Sequence, residues 1–225
     1  MTSDNILSFY KDLSPPEFLP DGVKIMNPYG EQEAWNCTKQ FYRKYFDDNN
    51  RRRLLLGINP GRFGGGITGI PFTDPVQLDA CGIKNTFEKR TELSSTFIYE
   101  MIDYLGGPTN FYQSFYVSAV CPLGFVKEGK NLNYYDLEEL QNQWEPFFVS
   151  TLKEQMKFCY SDEVFSIGMG KNVKYIQYLN DKYKLFSKIT PLPHPRWVMQ
   201  YRLKRKKEFI ELFANKLSLY LAKDS

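Results

Sequence analysis

The chain has 225 residues, 42% hydrophobic and 24% charged, which suits one packed domain and excludes collagen-like, coiled-coil and largely disordered chains. Its 29 Lys and Arg against 26 Asp and Glu leave a formal charge of +3, too small by itself to identify a polyanion binder. No apolar run approaches the ~18–20 residues of a membrane helix. The opening MTSDNILSFYKDLSPP also lacks a basic stretch followed by an apolar one, so a soluble, cytoplasmic protein without membrane contact is expected.

In chain order, Trp35, Phe41, Tyr45 and Phe46 fall at helical spacing over residues 33–48, and Leu54-Leu55-Leu56-Gly57-Ile58 reads as a buried strand. The irregular stretch GRFGGGITGIPFTDP follows. Phe97, Met101 and Leu105 mark a helix over 90–105, and Phe115–Val120 a second strand stopped by Pro122. Leu137, Leu140, Trp144 and Phe147 suggest a helix that Pro146 should bend or break. A third strand spans 164–167, a helix 171–183, and a fourth strand 186–190, ended by PLPHP. A last helix is expected from Met199 to Leu221, with Ile210, Phe213, Leu217 and Leu221 as its core stripe.

Two basic runs stand out, Arg51-Arg52-Arg53 and Arg202 with Lys204 to Lys207; such runs are usually solvated element ends. Cys37, Cys81, Cys121 and Cys159 are widely spread, with no C-x-x-C and no clustered His. They read as reduced, small apolar residues and not as metal ligands.

Strand and helix in alternation define an α/β layer fold with one four-stranded, mostly parallel sheet flanked by helices. In open sheets of this kind ligands bind beyond the carboxyl ends of the strands. The segments leaving the four strands are GINPGRFGG, AVCPLGF, GMGKN and PLPHPRW, and they hold the only histidine and the densest glycine run. The glycines match neither a Walker A loop nor a dinucleotide fingerprint. Asn59, fixed by Pro60, cannot act as a strong base but can hold a water. His194, between Pro193 and Pro195, can donate a hydrogen bond to developing negative charge. A lone His rules out arguing a nucleophile triad, and Asp74 is the sole carboxylate near the loops. The chemistry therefore needs little base strength and a leaving group that departs as a stabilised anion, conditions met by cleavage of a nucleobase from its sugar.

Gly57-Ile58-Asn59-Pro60-Gly61-Arg62-Phe63-Gly64, continued by Thr68-Gly69-Ile70-Pro71-Phe72, resembles the first motif of the uracil-DNA glycosylase superfamily, within it the single-strand-selective monofunctional branch and its second, bacterial subgroup. GGPTNFYQSFYV, Cys121-Pro122-Leu123, GKNLNYYDLEEL, Gly168-Met169-Gly170-Lys171 and His194-Pro195-Arg196 agree in order, so the resemblance spans about residues 50–205 of a single domain covering 1–225. It implies a monofunctional DNA-repair glycosylase, without metal or cofactor, that acts as a monomer on deaminated bases in single- or double-stranded DNA. By the same resemblance Asn59 places the attacking water and His194 stabilises the departing base. Phe72 stacks on the flipped base, and the backbone around Ile58 and Gly61 lines the pocket.

Two departures bear on specificity. Better-known members read the uracil edge with an Asn two residues before the C-P-L tripeptide; here that residue is Ala119, with Ser118 beside it, which keeps uracil and xanthine both open as substrates. The stretch after His194 also differs, with Arg196 and Trp197 where the family inserts residues into the gap left by the base. Arg202, Lys204, Arg205 and Lys206 are candidate phosphate contacts, as is Lys171 at a helix start. Two other readings remain at this point: a catalytically silent nucleic-acid-binding module, and a nucleotide- or cofactor-binding α/β enzyme.

Overall fold

The computed structural model describes residues 1–221. The chain runs through α1 (Thr2–Lys11), β1 (Val23–Met26), α2 (Gln32–Phe46), β2 (Arg52–Gly57), two short helices α3 (Gly65–Thr68) and α4 (Pro75–Ala80), then α5 (Leu93–Tyr104), α6 (Gly107–Ser114) and β3 (Phe115–Ala119). It continues with β4 (Gly124–Lys127), β5 (Lys130–Leu132), α7 (Glu138–Met156), β6 (Cys159–Ile167), α8 (Lys171–Tyr183), β7 (Lys188–Leu192), α9 (Pro195–Tyr201) and α10 (Lys206–Leu217).

The expected sheet is present, in the order β3-β2-β6-β7 with every pairing parallel. Leu54, Leu55 and Leu56 are fully buried on the central strand β2, because helices cover both faces and no alternation is left in the sequence. Pro191, which cannot donate to a ladder, sits on the edge strand β7. All four cysteines are free and buried. Among the described residues no helix is long and apolar enough to cross a membrane.

The structure departs from the sequence reading in several places. A second, antiparallel sheet, β1-β4-β5, was not expected; its strands are three or four residues long and carry no clear alternation. Helices α1 and α6 are also additional. β7 lies two residues further along than expected, at Lys188–Leu192. The last helix is three pieces, α9, a 3-10 turn at Leu203–Arg205, and α10, followed by a further 3-10 turn at Ser218–Tyr220.

Helix α7 runs unbroken through Pro146. Asn142, whose carbonyl loses its partner there, and Pro146 itself are both exposed, so water can satisfy the freed acceptor. On the opposite face Trp144, Phe147 and Phe148 are buried, and that packing outweighs the proline's cost of about 3 kcal/mol.

The run Arg51-Arg52-Arg53 is not a solvated strand end. Arg52 is 0% exposed and spends its N–H groups on both Asp48 carboxylate oxygens (2.7 and 2.6 Å), the Tyr112 carbonyl (2.8 Å) and the Asn50 carbonyl (2.6 Å). Arg53 grips both oxygens of Asp162 (2.9 and 2.8 Å), which sits where β6 slips register against β2, and lies over the Tyr220 ring at 4.1 Å. Arg51 donates to the carbonyls of Cys159 and Met156.

Candidate active site

All four strand-exit segments border a continuous cleft at the carboxyl edge of the sheet. One chamber of it, of about 280 Å³, is lined by residues 57–61, Pro71, Phe72, Ser118, Ala119, His194, Arg196 and Trp197, among others. That volume is just below the usual range for small-ligand sites, about 300–1,000 Å³. The loop 168–172 borders an adjoining chamber that shares Ile58, Tyr135, His194 and Trp197 with the first. Asn172 borders the adjoining chamber, its amide facing the carbonyls at the ends of β2 and β6 while its Oδ1 accepts from the Tyr134 hydroxyl at 2.8 Å.

Asn59 is held by main chain on both sides. Its Nδ2 donates to the Leu132 carbonyl (3.1 Å) and its Oδ1 accepts from the Tyr134 N–H (3.0 Å), which fixes which end of the amide is which. One N–H and one lone pair remain for a water or a substrate.

His194 caps α9. Its Nδ1 accepts from the Arg196 N–H at 3.2 Å, so the proton of the neutral ring resides on Nε2. Burial, with the Arg196 charge adding to it, pushes the imidazole down to about 4. At neutral pH His194 is thus an uncharged donor of fixed tautomer.

Phe72 lines the same chamber. Its ring centroid is 6.3 Å from that of His194, and its backbone adopts φ 53°, a strained value for a side chain of this size. The ring lies on β2 so closely that a Cβ at Gly57 would come 2.8 Å from Phe72 Cε2 and 3.3 Å from the Ser118 carbonyl oxygen. Gly57 is therefore a condition for the ring's position.

Ser118 borders the chamber, but its Oγ is completely shielded and neighbours the Tyr10 phenol in the core. The hydroxyl is not aimed into the cleft, and Ala119 offers no polar group, so neither residue presents an edge-reading side chain. Polar groups come instead from residues that the sequence reading passed over: Glu92, Ser94, Asn131, Asn133, Tyr135, Gln200 and Tyr201. Most sit outside the recognised motifs; Asn131 lies on β5 of the unforeseen hairpin and Asn133 just after it, in the stretch GKNLNYY noted for order alone. Glu92 presses on the glycine loop, where a Cβ at Gly61 would lie 2.7 Å from its Oε1. Burial raises its carboxyl, against the pull of Arg196 and with the Asp74 charge adding to the rise.

Arg196 and Trp197 both reach the chamber. Trp197 is 40% exposed, edge-on to Phe209 at 5.8 Å, with Arg202 over its face at 5.0 Å. Lys171 borders the adjoining chamber, 5.6 Å from the Tyr135 ring. Arg202, Lys204 and Arg205 border neither. Arg205 is paired with Glu208 (2.7 Å) and Lys206 with Glu100 (2.6 Å), so carboxylates already occupy part of that run.

The parallel four-stranded sheet thus brings a proline-fixed amide, an uncharged imidazole and an aromatic ring to one chamber at its carboxyl edge. The profile of the uracil DNA glycosylase superfamily matches residues 43–218, and the chain belongs to that family. It is similar to wild-type Pedobacter heparinus SMUG2, whose crystal structure superposes with a TM-score of 0.93 at 41% identity over 97% of each chain. The expected superfamily, its bacterial branch and the fold are thereby borne out, and of the three functional readings the uracil-DNA glycosylase stands.

Proposed function

We propose that this glycosylase extrudes a deaminated base, uracil or xanthine, from DNA into the 280 Å³ chamber and hydrolyses its N-glycosidic bond there. The observation that carries the reading is the convergence of a clamped Asn59 and a neutral His194 on one chamber beside the Phe72 ring.

The chemistry runs as follows. The base stacks on Phe72, which returns about 1–3 kcal/mol of the extrusion cost. As the C1′–N bond lengthens, electrons collect on the base, and the Nε2–H of His194 donates to the oxygen where that charge develops. A neutral donor suits this step, since it stabilises the anion without first having to be charged in a buried site. The free N–H and lone pair of Asn59 hold the water that adds at C1′; that water's surplus proton passes through solvent to the departed base anion, so the products are the neutral base and the sugar hydroxyl. The main chain at Ile58 and Gly61 walls the chamber, and Arg196 and Trp197 occupy the space vacated in the strand.

With no amide at position 119 and the Ser118 hydroxyl turned into the core, the place from which better-known members read the uracil edge carries no donor–acceptor pair. This supports acceptance of both uracil and xanthine. We further propose that the protein acts as a monomer in the cytoplasm, over one domain, on single- and double-stranded DNA. A panel of oligonucleotides bearing uracil, xanthine or hypoxanthine, single- and double-stranded, scored for alkali-labile abasic sites, tests the reading. Release of uracil or xanthine is expected; release of neither overturns it.

A further inference from the structure

Beside the base chamber runs a groove lined by Arg62, Phe63, Arg90, residues 91–94, Lys130, Asn131 and Arg196. It opens into the chamber through Glu92, Ser94, Asn131 and Arg196, which border both. Four cations come together here from four separate parts of the chain: the loop after β2, the approach to α5, the tip of the β4–β5 hairpin and the start of α9. Within the described residues none of the four lies within 4.0 Å of a carboxylate, whereas Arg52, Arg53, Arg205 and Lys206 all do.

The groove is held in place. Arg62 and Arg90 stack on the Phe63 ring, at 4.4 and 3.6 Å from its centroid. A guanidinium stacked on a ring keeps the N–H groups at its edge free for phosphate oxygens and loses little entropy on binding them. The Arg62 side chain donates to the Gly129 carbonyl, and its backbone N–H donates to Asn131 Oδ1 at 3.0 Å, which pins the glycine loop to the hairpin tip. Arg62 Nε is shielded and has no hydrogen-bond acceptor.

We propose that this groove is the track for the phosphates flanking the extruded nucleotide, with Arg90 and Lys130 as its outer contacts, in place of the basic run 202–207. The inference rests on the glycosylase reading above and adds the route of the strand. Glu92, the single acidic side chain in the groove, is held toward its neutral form by burial, which suits a polyanionic neighbour.

The test compares the wild type with the double variants Arg90→Ala/Lys130→Ala, Lys204→Ala/Arg205→Ala and Lys11→Ala/Lys39→Ala, each removing two positive charges. Binding of a fluorescent single-stranded oligothymidylate, which has no excisable base, is measured by anisotropy across a salt series. Arg90→Ala/Lys130→Ala is expected to bind at least about tenfold more weakly in low salt, with a log–log salt slope shallower by about 1.4, or about 0.7 per lost phosphate contact. Under single-turnover conditions its half-saturating concentration of a uracil oligonucleotide should rise by a similar factor. The other two pairs should show a much smaller loss and an unchanged slope. Equal behaviour of Arg90→Ala/Lys130→Ala and Lys11→Ala/Lys39→Ala, or a loss confined to Lys204→Ala/Arg205→Ala, overturns the proposal. A wild type that releases no base overturns the glycosylase reading alone, since oligothymidylate binding is read independently.

Discussion

The two edges of the parallel sheet are built on opposite rules. At the amino edge Arg51, Arg52 and Arg53 are consumed by carbonyls, two carboxylates and the Tyr220 face. At the carboxyl edge backbone holds Asn59 at both ends of its amide and His194 at Nδ1, and each keeps hydrogen-bonding capacity to spare. The first arrangement converts charge into stability; the second holds polar groups ready for something that comes from outside. Density of charge along the sequence therefore says little about binding. What matters is whether the fold supplies a partner.

The comparison can be broken at either edge. The largest effect is expected at the amino edge: Arg52→Ala leaves three main-chain acceptors and the partly exposed Asp48 carboxylate without their donor, and should cost about 3–5 kcal/mol in denaturant unfolding. The folded fraction should keep its turnover; a loss of rate beyond the loss of folded protein would show that the edges are not separate. His194→Ala should do the reverse, lowering the single-turnover rate by about 10²–10³ with an unfolding midpoint close to the wild type. Phe72→Ala should weaken binding of the damaged strand by about 1–3 kcal/mol while leaving undamaged strands alone.

The pH dependence separates the edges as well. His194 has a folded value near 4, below its ordinary 6.5, so base release should pass through pH 6.5 without an inflection from this group and fall only as pH approaches 4. The unfolded imidazole takes up a proton between those values and the folded one does not, so the His194 contribution to stability is lost as pH falls from 6.5 toward 4. The hydrogen bonds from Arg52 hold Asp48 below the usual carboxylate range. Its contribution is thus complete above the ordinary Asp value and fades in acid as pH falls through the lowered one. An activity profile with a midpoint at 6.5 would contradict the neutral imidazole. The smallest effect belongs to Arg205→Ala, an exposed side chain paired with Glu208, which should leave the unfolding midpoint unchanged.

Much of this was legible in the residues. The apolar run 54–56 and the segment 115–119 announced buried strands, and the rule that ligands sit beyond strand carboxyl ends brought residues 135 positions apart, Asn59 and His194, to one cleft. What stayed hidden was decided by tertiary contacts. The strands of the β1-β4-β5 sheet are too short to carry a pattern, so the hairpin that positions Asn131 and clamps Asn59 left no periodic trace. The burial of Arg52 depends on Asp48 and on carbonyls from Asn50 and Tyr112, none of which a run of three arginines reveals. Pro146 escaped its usual consequence because the carbonyl it orphans faces water. Glu92 sits in a stretch, KRTELSS, that reads as an ordinary helix start.

The grip of Leu132 and Tyr134 on residue 59 also bears on why an amide would stand in the place proposed here for the water holder. A carboxylate of nearly the same shape would set a negative oxygen about 3 Å from the Leu132 carbonyl, oxygen against oxygen, with no hydrogen between them. Aspartate there would have to bind a proton or swing out of the clamp. The fold has traded proton affinity for immobility, and an enzyme so made depends on the instability of the bond it breaks more than on the strength of its nucleophile.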